Sequence, residues 1–143
     1  MSFPADEMKK KVFYDKEMLP PRERIEKLLD PGTFFKLGAL ATHHYRDFGM
    51  DKKVIPADGV ITGLGESNGR KVCVCAQDFS ALGGTYGEMH GEKICAFMDL
   101  AAESHAPIIR ICHSGGLRLH ETLGPMKMFG QLFKRNSAPG CGR

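Results

Sequence analysis

The 143-residue sequence contains no long apolar segment. None of its apolar runs approaches the ~20 residues that a helix needs to cross a bilayer. Residues 1–7 also lack the basic region followed by an apolar core that is typical of a signal peptide. We therefore predict a cytoplasmic chain without a membrane span.

Basic residues are too few and too scattered to indicate a nucleic-acid-binding protein. The formal net charge is +3, and the longest basic run, Lys9-Lys10-Lys11, is typical of a solvated surface. With 42% hydrophobic and 26% charged residues, the composition is that of an ordinary globular domain. The charge permits an anionic ligand, but we predict no nucleic-acid partner.

The cysteines do not form a metal-binding pattern. An odd count of five, mostly in apolar segments, indicates reduced thiols. Cys73 and Cys75 lie two residues apart on a predicted strand, so both point to one face. A zinc site would need a second closely spaced pair, so we predict core cysteines and no metal. The remaining cysteines are Cys95, Cys112 and Cys141.

Two common nucleotide-binding motifs are also missing. The sequence has no GxxxxGK(S/T) loop, and no GxGxxG motif links a strand to a helix. Gly63-Leu64-Gly65 lies inside a predicted strand instead. Cys112 and His113 are neighbours at a strand end and should point apart, so we predict no nucleophilic dyad there.

The clearest local pattern is a β-hairpin. Segments 59–65 and 71–77 flank Ser67-Asn68-Gly69-Arg70, and Asn-Gly supplies the positive φ angles of a tight turn. Gly63 and Gly65 indicate either a bulge or a close backbone approach in the first strand.

A strand–helix–strand unit overlaps this hairpin. Residues 72–77 and 108–112 read as buried strands, and residues 85–106 read as a helix that Thr85 and Glu88 begin as a capping box. A crossover of this kind should be right-handed and make the two strands parallel. Shorter helices are predicted at residues 22–29, 117–123 and 126–135.

Each of these two strands runs into a diglycine bend. Leu82-Gly83-Gly84-Thr85 follows the first, and His113-Ser114-Gly115-Gly116 follows the second. Parallel strands bring both bends to one sheet edge, where ligands bind in open α/β sheets. Glycine lets main-chain N–H groups approach a ligand, and helix N-termini favour negative charge. We predict a site for phosphates or a developing oxyanion, with tight helix–strand packing as the alternative.

Arg118 is the side chain that best suits such a site. At the predicted start of a helix beside the second bend, its guanidinium can hold a carboxylate or a phosphate. The alternative is a surface salt bridge. Other polar side chains nearby are expected to be solvated or half-buried: His90, His105, His120 and Glu121.

Several motifs occur in an order that is typical of one family. They are residues 22–34, residues 58–65, Asn68-Gly69-Arg70, residues 82–90, Ser114-Gly115-Gly116-Leu117-Arg118 and Phe133-Lys134-Arg135-Asn136. In order and spacing the chain resembles the biotin-dependent acyl-CoA carboxyltransferases. These include the β subunits of propionyl-CoA and related carboxylases and the carboxyltransferase subunits of sodium-pumping decarboxylases.

The resemblance implies an α/β, crotonase-like (ClpP/crotonase) fold of ββα units. It also implies transfer of a carboxyl group between carboxybiotin and the α-carbon of an acyl-CoA, with backbone N–H groups holding the enolate. Biotin would be carried by a biotin carboxyl carrier or biotin carboxylase subunit, and the complete protein would be a homo-oligomer. The implied catalytic residues are Gly115 and Gly116, and the implied acyl-CoA-binding residues are Gly83, Gly84, Gly87, Ser114 and Arg118.

The chain departs from this family in sequence and in length. His113 stands where the family usually has an acidic residue or asparagine, and Leu117 stands where it usually has alanine. Because family members are several times longer, we interpret residues 20–136 as an incomplete N-terminal carboxyltransferase domain. Residues 1–19 are then a peripheral segment and residues 137–143 a disordered tail. We expect no activity from the chain alone. A non-catalytic module that binds CoA or phosphate and a structural remnant are the alternatives.

Overall fold

The computed structural model describes residues 18–137, so the predicted segments 1–19 and 137–143 lie almost entirely outside the described residues. No helix in the described range is long and apolar enough to span a bilayer. Short 3-10 turns occur at Asp47–Lys52, Pro56–Gly59, Leu82–Gly84 and Leu119–Glu121. In chain order the other elements are α1 (Pro21–Leu28), β1 (Phe35–Leu37), β2 (Val60–Ser67), β3 (Arg70–Gln77), α2 (Glu88–Glu103), β4 (Ile108–Ile111) and α3 (Gly124–Asn136).

The strands form one sheet in the order β1-β2-β3-β4. β2 is antiparallel to both β1 and β3, whereas β3 and β4 are parallel. Asn68 and Gly69 have φ angles of 52° and 71°, which suit the tight turn between β2 and β3. The Asp30 carboxylate accepts their two amide protons at 3.1 and 2.8 Å. The predicted hairpin and the predicted parallel pair are therefore confirmed.

Two glycines in β2 allow neighbouring groups to approach the strand closely. A Cβ on Gly63 would lie 2.5 Å from the Phe35 carbonyl oxygen, and one on Gly65 would overlap the Leu29 side chain. The register between β2 and β3 runs without interruption from Val60 to Ser67. Close approach, rather than a bulge, therefore accounts for both glycines.

Helices cover both faces of the sheet. Along β3, Cys73 and Cys75 face α2 and α3, while Val72, Val74 and Ala76 face α1. A strand that is buried on both faces is apolar throughout, which explains why no polar alternation marks β3. Cys73 and Cys75 therefore lie in the core as free thiols, as predicted. The cluster between the sheet and helices α2 and α3 also buries Val60, Tyr86, Ile94, Cys95, Phe97, Met98, Ala101, Met128 and Leu132.

Helix α2 starts later than predicted, and its capping box is absent. Its N-cap is Gly87, with no capping side chain of its own. Thr85 is extended, and its hydroxyl donates to the Leu82 carbonyl at 2.8 Å. The reason is non-local, because Tyr86 pairs with Leu117 in an isolated parallel β-bridge that keeps this stretch out of the helix.

The helix predicted at residues 117–123 is also wrong. Leu117 lies in the bridge with Tyr86, and only Leu119–Glu121 form a single 3-10 turn. Helix α3 then begins at Gly124, where the sequence predicted a break. Pro125 falls in the first turn, a position that proline favours because its missing N–H has no intrahelical acceptor there.

Candidate functional site

The two diglycine bends lie side by side at the carboxyl edge of β3 and β4. The Gly115 amide donates to the Gly83 carbonyl at 2.8 Å, and the Tyr86 amide donates to the Gly116 carbonyl at 2.9 Å. A third bond, from the Arg118 amide to the Tyr86 carbonyl at 2.8 Å, continues this pairing. The predicted convergence is therefore confirmed, and the two bends form one continuous rim of main chain rather than two separate walls.

Three glycines of this rim have the positive φ angles that other residues rarely adopt. The φ angles are 65° at Gly83, 63° at Gly84 and 113° at Gly116. A Cβ on Gly84 would overlap the His113 carbonyl oxygen, so glycine is required for the two bends to meet. A Cβ on Gly83 or Gly116 would meet no atom within 4 Å. Open space therefore lies in front of these two residues.

The rim carries main-chain donors that the protein does not use. Within residues 18–137, the amides of Gly83 and Ser114 have no protein acceptor, and both residues reach the surface. The Gly116 amide donates only to the exposed Ser114 hydroxyl, at 3.1 Å. By contrast, the Gly115 amide already donates to the Gly83 carbonyl. We call the amides of Gly83 and Ser114 the accessible donors, because they have no protein acceptor in the described range and belong to residues that reach the surface; the Gly116 amide is held only by the exposed Ser114 hydroxyl.

The sequence predicted Arg118 at the surface beside the second bend, but the structure places it in the interior. It is 1% exposed, and its Nη1 donates to Asp58 Oδ1 at 2.5 Å and to Glu121 Oε1 at 2.7 Å. Its Nη2 donates to the Thr85 carbonyl at 3.1 Å. The guanidinium therefore binds carboxylates of its own chain and offers no surface to an external anion. Arg118 does precede a helical turn, as the N-cap of Leu119–Glu121, but that turn is a short 3-10 turn and the ion pairs of Arg118 are buried rather than at the surface.

The two carboxylates bound to Arg118 also cap helix α2. Glu121 Oε2 accepts the Glu88 amide proton, and Asp58 Oδ2 accepts the His90 amide proton, both at 2.7 Å. The positive end of the helix dipole thus faces buried carboxylates of the protein instead of a ligand. Gly87 is buried beside Arg118, and glycine is required there because a Cβ would overlap Arg118 Nη1. The expected role of Gly87 in binding CoA stays a prediction.

The sequence predicted no role for Asp58, and it predicted the wrong environment for Glu121. Glu121 was expected to be solvated, but both side chains are 0% exposed. Asp58 lies in the turn before β2. Lys93 Nζ donates to the carbonyl of Ala57 in that turn at 2.7 Å and to the carbonyl of Val60, the first residue of β2, at 2.6 Å. Burial lowers the pKa of Lys93 to about 8. No local pattern marks this cluster, because Asp58 and Arg118 lie 60 residues apart in the sequence and meet only through the fold.

His90 is another correction, since it was expected at the surface or half-buried and is instead 0% exposed. Burial lowers the pKa of His90 to about 4, so the imidazole is neutral near pH 7. His105 and His120 are exposed, as expected. The ring of His113 stacks on Phe79 with the ring centroids 4.1 Å apart. The described residues contain no group of three or more His, Cys, Asp or Glu side chains that could hold a metal ion.

Comparison with known proteins establishes the family of the chain. A family model described as a carboxyl transferase domain matches residues 14–139. The chain belongs to the carboxyl transferase domain family. This carboxyl transferase sequence is 45% identical over 124 residues to the propionyl-CoA carboxylase carboxyltransferase subunit of Haloferax mediterranei, covering 87% of the chain and 24% of that relative. It is 43% identical over 116 residues to the methylmalonyl-CoA decarboxylase subunit alpha of Propionigenium modestum, covering 81% and 22%.

Solved structures show the same relationship. The transcarboxylase 12S structure with bound methylmalonyl-coenzyme A matches with a TM-score of 0.87 and 36% identity, covering 90% of this chain and 25% of that one. The β subunit of Pseudomonas aeruginosa geranyl-CoA carboxylase matches with a TM-score of 0.76 and 26% identity, covering 92% and 24%. The predicted crotonase-like α/β fold is therefore confirmed. The carboxyl transferase chain spans about a quarter of the length of these relatives.

Proposed function

We propose that this chain supplies the acyl-CoA side of a biotin-dependent carboxyltransferase, in which main-chain N–H groups of the rim hold the thioester carbonyl. The observation that supports this most directly is that the amides of Gly83 and Ser114 have no protein acceptor in the described range, while Gly83 and Gly116 face open space. Preorganised N–H donors stabilise the negative charge that develops on a thioester oxygen when the α-carbon loses its proton. The described surface offers donors of the kind that enolate formation requires.

The donors divide into two kinds. Gly83 and Ser114 can donate at once, because no protein acceptor occupies their amides in the described range. The Gly116 amide becomes available when the Ser114 hydroxyl rotates away, since this side chain is exposed and its bond is 3.1 Å long. The Gly115 amide, which the resemblance placed in the catalytic set, serves the enolate only if the Gly83 carbonyl releases it.

The residues present suit a biotin carried by another polypeptide. Gly83 and Gly116 face open space, so a tethered group can approach the rim from solvent. When bound beside the rim, carboxybiotin would supply carbon dioxide to the enolate, and the ureido group left after that release would accept the α-proton. The chain's own contribution is to bind the ester, orient it and stabilise its enolate through main-chain donors.

The transfer reaction needs more than the described residues. The chain spans about a quarter of its relatives, and we propose that other parts of the assembly supply the carboxybiotin site. A biotin carboxyl carrier or biotin carboxylase subunit is the expected partner, and further copies of the same subunit complete a homo-oligomer. Among the structural relatives, transcarboxylase 12S forms a hexamer assembly, which supports this expectation.

Isothermal titration calorimetry with propionyl-CoA tests the binding function. We expect saturable binding at one site per chain and no carboxyl transfer when free carboxybiotin is added. Ser114→Ala should retain the affinity within about threefold, because the donors are main-chain amides and the lost hydroxyl only competes for one of them. The absence of saturable heat would overturn the proposal. Carboxyl transfer by the chain alone would overturn the assignment of a half-site.

A further inference from the structure

A buried histidine connects the start of helix α2 to the second bend. His90 Nδ1 lies 2.9 Å from the Asp58 carbonyl oxygen, and His90 Nε2 lies 3.2 Å from Gln77 Nε2. A carbonyl can only accept, so Nδ1 carries the proton and Nε2 presents its lone pair to Gln77. The surroundings thus select one tautomer of a neutral imidazole.

The tautomer of His90 also determines which way the Gln77 amide faces. Gln77, the last residue of β3, is buried, and its NH₂ group must point towards the lone pair on His90 Nε2. Its Oε1 then faces the opposite way and accepts the His113 amide proton at 2.8 Å. A reversed amide would place two donors against each other at His113 and two acceptors against each other at His90.

This chain of bonds ends next to the donors of the rim. The His113 carbonyl packs against Gly84, and the next residue, Ser114, carries one of the accessible amides. Between the end of β4 and Ser114, the Gln77 side chain provides the bond that holds the His113 amide. The Gly115–Gly83 bond fixes the bend from its far side.

We propose that His90 is a positioning residue that acts through Gln77 to hold the second bend in the geometry that presents its amides. Its importance for ligand binding rests on the proposed function, whereas its effect on the bend does not. An ordinary core histidine would contribute to the stability of the whole protein without any particular effect at His113. The two roles therefore predict different results at one amide.

Variants of the described chain separate these roles by hydrogen exchange measured with NMR. His90→Leu removes the acceptor for Gln77, whereas His90→Gln can still donate to Asp58 and accept from Gln77. Met98→Ala is the matched control, because Met98 is buried on the same helix and takes no part in this bonding. We expect the His113 amide of His90→Leu to exchange about tenfold faster than that of Met98→Ala at equal global stability. His90→Gln should restore slow exchange.

Equal exchange at His113 in His90→Leu and Met98→Ala, at matched stability, would overturn the positioning role. If the leucine variant does not fold, long-range ¹⁵N spectra of the unmodified protein decide the matter. We expect His90 with Nδ1 protonated and Nε2 unprotonated at pH 7. The opposite tautomer, or an imidazolium, would overturn the proposal. Calorimetry with propionyl-CoA is a separate readout: failure of the unmodified chain to bind would refute the proposed function and leave the exchange result at His113 valid.

Discussion

Replacing Arg118 should destabilise the whole protein rather than merely weaken ligand binding. Arg118→Met leaves the carboxylates of Asp58 and Glu121 at 0% exposure without their cationic partner. Removing one partner of a buried ion pair typically costs about 3–5 kcal/mol, because an uncompensated charge stays buried. Against a total stability of about 5–15 kcal/mol, this loss should lower the midpoint of thermal unfolding by more than about 10 °C.

Thermal and urea denaturation followed by circular dichroism would measure this effect. The surface pair Arg22–Glu26, with side chains 76% and 52% exposed, provides the control. Arg22→Met should cost less than about 1 kcal/mol, because exposed pairs are screened by solvent. The triple variant Asp58→Asn, Arg118→Met, Glu121→Gln removes all three charges and should recover much of the lost stability.

The result that would refute this reasoning is specific. If Arg118→Met kept the unfolding midpoint of the unmodified protein and lost only its affinity for propionyl-CoA, the guanidinium would contact the ligand. The role first expected from the sequence would then be correct, and the buried ion pairs would have no structural importance. A loss of stability that the triple variant partly reverses supports the buried role.

Three further outcomes are expected from the same geometry. Gly84→Ala should lower the free energy of unfolding by about 2–5 kcal/mol, because the residue has a positive φ and its Cβ would overlap the His113 carbonyl oxygen. Gly83→Ala has a similar φ but faces open space, so it should cost only about 1–2 kcal/mol. Gly91→Ala should destabilise by about 1–3 kcal/mol because its Cβ would collide with α3. Gly130→Ala, whose Cβ would meet nothing within 4 Å, should stabilise the protein by about 0.5–1 kcal/mol. Urea titrations that give equal effects for Gly84→Ala and Gly83→Ala, or for Gly91→Ala and Gly130→Ala, would contradict this geometry. Because burial lowers the pKa of His90 from 6.5 to about 4, the unfolded state binds the extra proton, and roughly 3 kcal/mol of stability should disappear as the pH falls from about 6.5 to about 4. His90→Gln should flatten that part of the pH profile, and an unchanged slope would show that other groups cause it.

The β2–β3 hairpin and the parallel pair of β3 and β4 could be predicted from local sequence patterns. Asn68-Gly69 marked the hairpin because few other pairs adopt two positive φ angles in succession. The apolar strands and the helix between them predicted a parallel pair, and topology then brought the two bends to one edge. The sequence motifs also indicated the correct family.

The features that were missed depend on contacts between distant residues. Nothing near Arg118 in the sequence reveals that Asp58 is its partner, or that Glu121 caps a helix that starts 33 residues earlier. The stretch at Leu117 has a helix-like sequence, but a bridge to Tyr86 keeps it extended. The rim lies where the sequence predicted it, whereas the charged side chains behind it are buried rather than exposed to solvent.

The central claim is that accessible main-chain amides of the two bends hold a CoA thioester. A titration of the ¹⁵N-labelled chain with propionyl-CoA, followed by amide resonances, tests it most directly. We predict saturable shifts at Gly83 and Ser114, with a smaller response at Gly116 as the Ser114 hydroxyl is displaced. Shifts confined to residues far from the rim, or no shifts at saturating propionyl-CoA, would contradict the claim.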